Sequence, residues 1–116
     1  METIQVKTSA RTQFVDITSR VKEAISRTGI REGLAVVYVP HTTAGVTINE
    51  AADPSVAEDI QDKLAELIPF RGLYKHSEGN SDAHIKTSLM GNSAHLIVSG
   101  GALVLGTWQG VFFLRV

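Results

Sequence analysis

With 116 residues and 43% hydrophobic content, the chain has enough apolar material for one core and too little for two stable ones. Eleven basic and twelve acidic side chains leave a formal charge of −1, which excludes the positive surplus needed to hold a nucleic-acid backbone through many contacts. Cysteine is absent, so disulfides, thiolate nucleophiles and cysteine-based zinc sites are excluded together, and a cytoplasmic setting is expected.

The first residues alternate, with Ile4 and Val6 between polar neighbours, and read as structure rather than as a leader. Phe14, Val15 and Ile17 follow a polar connection, which predicts a strand pair. From about Thr18, Val21, Ala24 and Ile25 recur at helical spacing, and Gly29 stands where a left-handed cap is needed. Residues 34–39 are β-branched and apolar, and predict a central strand buried on both faces that stops at Pro40-His41. A second strand is expected over 45–49.

Asp53-Pro54 predicts a helix start, a capping carboxylate followed by proline at the first helical position. Val56, Ile60, Leu64, Leu67 and Ile68 form its apolar stripe, and Pro69 helps to end it. Residues 69–84 are polar and glycine-containing, the longest expected loop. Asp82 is the expected cap of a short helix over 83–90, terminated by Gly91. Strands are then expected over 95–99, 102–105 and 111–114. No stretch approaches the roughly 18 apolar residues of a membrane span, so no membrane partner is expected. Strands interspersed with two or three short helices, without strict alternation, predict a single α+β domain with a largely antiparallel sheet or sheets.

Four segments carry the chemistry-bearing residues: His41-Thr42-Thr43-Ala44-Gly45 with Thr47-Ile48-Asn49-Glu50; Ala52-Asp53-Pro54 with Asp59; the run from His76-Ser77-Glu78-Gly79-Asn80 through Asp82 and His84 to Leu89; and Leu105-Gly106-Thr107-Trp108-Gln109-Gly110. In order and spacing the chain resembles the YjbQ-like family over nearly its whole length. The resemblance implies a homotrimer with sites near subunit boundaries. For some members it also implies thiamine-phosphate synthase activity, which joins a pyrimidine diphosphate to a thiazole phosphate with loss of pyrophosphate. Relatives usually carry a few more residues after the last strand.

His41, His76 and His84 fall in these polar motifs, whereas His95 opens an apolar strand. Three imidazoles with an open position suit catalytic zinc, a divalent metal (zinc or magnesium) is the expected cofactor, and Glu50 or Glu78 could handle a proton. The bland alternative is histidines hydrogen-bonded in a loop-rich pocket. For a small phosphorylated molecule, Gly79 and Asn80 offer close backbone approach at a helix start, and Lys86 offers a charge. Trp108 and Gln109 pair a flat ring with an amide, suited to a heteroaromatic ligand, though a core or subunit-interface tryptophan is the competing reading. Metal-dependent phosphoester hydrolysis and a non-enzymatic trimer that binds a metal or small molecule remain open beside the transferase.

Overall fold

A computed structural model describes residues 1–116 and contains three helices and two three-stranded antiparallel sheets. The elements run β1 Gln13–Asp16, α1 Thr18–Thr28, β2 Gly33–Tyr38, β3 Ala44–Glu50, α2 Pro54–Leu67, α3 Ser81–Met90, β4 Ser93–Ser99, β5 Ala102–Leu103 and β6 Gln109–Arg115. One sheet has the order β1-β6-β3 and the other β2-β4-β5. The core lies between them. Val46 of β3 and Val111 of β6 meet Ala94 and Leu96 of β4, with Ile17 and Val21 at the start of α1.

Local chemistry explains the helix ends. Asp53 accepts from the Ser55 backbone N–H at 3.0 Å and the Ser55 hydroxyl at 2.7 Å, so α2 begins as expected. Gly29 ends α1 at φ 71°, a conformation that side chains with a Cβ resist. Gly45 has a packing role, because a Cβ there would lie 2.5 Å from the Gly91 carbonyl oxygen. That close approach lets the Val46 N–H donate to the same oxygen and ties the end of α3 to β3.

Three expectations need correction. Ile4 and Val6 form no strand and instead pack half-buried against the main core, so β1 pairs with β6 alone. Within this chain strand β2 is buried on one face only, because no other element of the chain packs on its outer face. Its Ala35 and Val37 turn inward, while Leu34, Val36 and Tyr38 are exposed. Asp82 is not the cap of α3. Asn80 holds that position without a side-chain hydrogen bond, and Asp82 enters the first turn with only 1% of its surface exposed.

Candidate functional site at the start of helix α3

Helix α3 turns polar residues inward, for Asp82, Ala83, Lys86 and Thr87 are its buried positions. Isolated buried charges would be prohibitive, and here they are paired. Lys86 Nζ donates to Asp82 Oδ2 at 2.9 Å, and an Arg11 Nη donates to Asp82 Oδ1 at 3.2 Å. The Arg11 guanidinium also lies 3.5 Å from the centre of the Phe70 ring. Lys86, read in the sequence as a charge for a phosphorylated molecule, thus has its ammonium on Asp82.

The same helix start brings two of the three motif histidines together. The rings of His76 and His84 meet edge to face with centroids 5.3 Å apart, and Glu78 Oε2 stands 3.9 Å from His76 Nε2. Both histidines line a cleft of about 520 Å³ with Leu73, Tyr74, Ser81 and Ile85. A second cleft of about 400 Å³ takes in Glu78, Gly79 and Asn80 with Arg11, Thr43 and Arg115. His41 is exposed in the connection between β2 and β3, and no group of three or more His, Cys, Asp or Glu side chains in the chain could hold a metal ion. In this chain the expected three-histidine cluster is therefore a pair, His76 with His84.

Glu50 and Gln109 lie elsewhere. They face each other in register where β3 ends and β6 begins, whereas Ala44 faces Arg115 at the opposite end. A seven-residue strand separates those ends by roughly 20 Å. The Gln109 side-chain oxygen accepts from the Gly106 N–H at 2.8 Å, closing its own turn. Trp108 is 63% exposed, which removes the core reading and leaves the interface and stacking readings. His95 projects from the outer face of β4 opposite Val36.

Sequence reasoning missed Arg11 and Arg115. Nothing local marks either one. They come together because Gln13 pairs with Arg115 in the β1–β6 register, which brings the segment before β1 beside the end of β6.

The comparisons with known proteins agree with this architecture. The family model "UPF0047 protein YjbQ-like" matches residues 2–116. The chain belongs to the YjbQ-like UPF0047 family. It is 56% identical over 109 residues to a UPF0047 protein of Methanocaldococcus jannaschii, covering 94% of this chain and 79% of that one. With YugU of Bacillus subtilis it shares 48% over 114 residues, covering 97% and 86%. Among solved structures, an uncharacterised YjbQ/UPF0047 protein from Clostridium acetobutylicum superposes with a TM-score of 0.93 at 55% identity, covering 95% of this chain and 85% of the other. A YbjQ-like protein of unknown function from Sulfolobus solfataricus gives 0.91 at 32% identity, covering 95% and 80%. No helix is long and apolar enough to cross a membrane.

Proposed function

We propose that the start of α3 is the working site of a thiamine-phosphate synthase-type transferase acting on small phosphorylated substrates. One observation carries the reading: His76, His84 and Glu78 meet beside a cleft at the start of a helix. In the reaction, a carbon on the pyrimidine joins the thiazole nucleophile as its carbon–oxygen bond to diphosphate breaks. The electron pair leaves on pyrophosphate. The task of the protein is then to bind and neutralise that anion, and ring N–H groups of His76 and His84 are suited to donate to its oxygens. Glu78, within reach of His76, orients that ring.

The outer face of β2 and β4 supports assembly into a homotrimer. Leu34 faces Ile97 in register, and both are exposed, as are Val36 and Tyr38 beside them. A contiguous apolar surface of this kind is commonly covered by a partner. In such a trimer Glu50 and Trp108 of one subunit can complete the α3 site of its neighbour, an arrangement the roughly 20 Å between strand ends forbids within one chain.

The test is pyrophosphate release from the pyrimidine diphosphate and thiazole phosphate. Wild-type protein is expected to release it, and Glu78→Gln and His84→Ala are each expected to slow it about 100-fold or more. Wild-type turnover unaffected by either substitution would remove the assignment.

A further inference from the structure

We propose that the cleft formed by Arg11, Arg115, Thr43, Glu78, Gly79 and Asn80 is a distinct phosphate-binding subsite, with the two guanidiniums as its charged arms. The inference rests on the reading that this end of α3 takes phosphate, but not on the transfer reaction. The cleft holds about 400 Å³, ample for one phosphate group and part of the molecule carrying it.

Arg11 is held in place without being used up. Phe70 takes the face of its guanidinium, and Asp82 accepts from one Nη. A guanidinium has five N–H donors along its edge, so most stay available. Arg115 is likewise steadied by one bond, from its Nη to Thr8 Oγ1 at 3.0 Å, and its side chain is otherwise exposed. Two forks of this kind fixed beside one cleft match the acceptor oxygens of a phosphate.

Two guanidiniums favour phosphate over carboxylate, because phosphate sets more acceptor oxygens and more negative charge against them. Asn80 also lines the cleft. Gly79 lies beside it at φ 76°, with nothing within 4 Å of where a Cβ would sit. Its backbone is open to a ligand.

The experiment titrates inorganic phosphate, and separately acetate at equal ionic strength, into the full chain by calorimetry, with amide chemical shifts reporting the location. Phosphate is expected to bind more tightly than acetate and to move the Gly79, Asn80 and Arg115 amides. Arg115→Gln removes an exposed arm without touching the core, and is expected to weaken phosphate about tenfold. Lys63→Gln removes the same charge from the exposed side of α2 and is expected to change nothing. Equal phosphate and acetate affinity, equal losses in the two variants, or no phosphate binding by the wild type would each overturn the subsite. Because no turnover is measured, failure of the transferase assignment would leave this result standing, and the reverse holds as well.

Discussion

Helices α2 and α3 follow one another along the chain and meet the rest of the fold in opposite ways. On α2, Leu64 is buried and Val56 and Ile60 are half-buried, while Glu58, Asp62 and Glu66 face solvent. On α3 the pattern is inverted: Asp82 and Lys86 are inside, and Ile85 and Leu89 are exposed at 44% and 64%. The first arrangement is what burial of apolar surface produces unaided. The second persists only because Asp82 faces two cations, and it leaves an apolar rim, including Ile85, along the cleft that holds the histidine pair. One helix supports the fold, and the other spends its inward face on fixing charge near a site.

The largest effect that would sharpen this contrast is on Asp82. Asp82→Ala strands Lys86 in a buried position and should cost about 3–5 kcal/mol, read from urea melts. Replacing the pair together, Asp82→Leu with Lys86→Met, should recover stability to within about 1 kcal/mol of the wild type, since apolar residues of similar volume often substitute for a buried ion pair. A single substitution that cost almost nothing would mean that water reaches the pair, and the contrast between the helices would fall.

A smaller effect belongs to α2. Hydrogen bonds from the Ser55 side chain and backbone hold the Asp53 carboxyl below its ordinary value of 3.8. A carboxylate depressed in the folded state contributes stability that is present above pH 3.8 and lost as pH falls through the depressed folded value. Asp53→Asn keeps a capping oxygen but cannot titrate. The stability difference between wild type and variant should therefore shrink as pH drops below 3.8, and a difference independent of pH would show that the charge of Asp53 plays no part in capping.

The same contrast explains what could be read from the sequence. Asp53-Pro54 and the stripe through Leu64 obey local rules, so α2 begins where they indicate. His76 and His84 were legible as site candidates because they stand in a polar, glycine-containing run with no packing reason to be there. The inward face of α3 was not legible, because apolar periodicity is blind to a buried Asp82–Lys86 pair whose second cation, Arg11, comes from the far end of the chain. Residues 34–39 misled for a related reason. Continuous apolar character predicts burial on both faces, and in the folded chain Leu34, Val36 and Tyr38 form an uncovered sheet surface. Ile4 and Val6 alternate like a strand but satisfy that pattern by packing on the core without a pairing partner.

The most direct test of the central claim, that the start of α3 is the working site, is a set of three histidine substitutions, with Lys63→Gln as control, assayed for pyrophosphate binding by calorimetry and for fold by circular dichroism. His76→Ala and His84→Ala should weaken binding to a similar degree, because their rings meet at 5.3 Å, and Lys63→Gln on the exposed side of α2 should leave it unchanged. His41→Ala reports whether the third motif histidine joins the pair, and a matching loss is expected if it does. Unaltered pyrophosphate binding in both His76→Ala and His84→Ala, with the fold intact, would contradict the account.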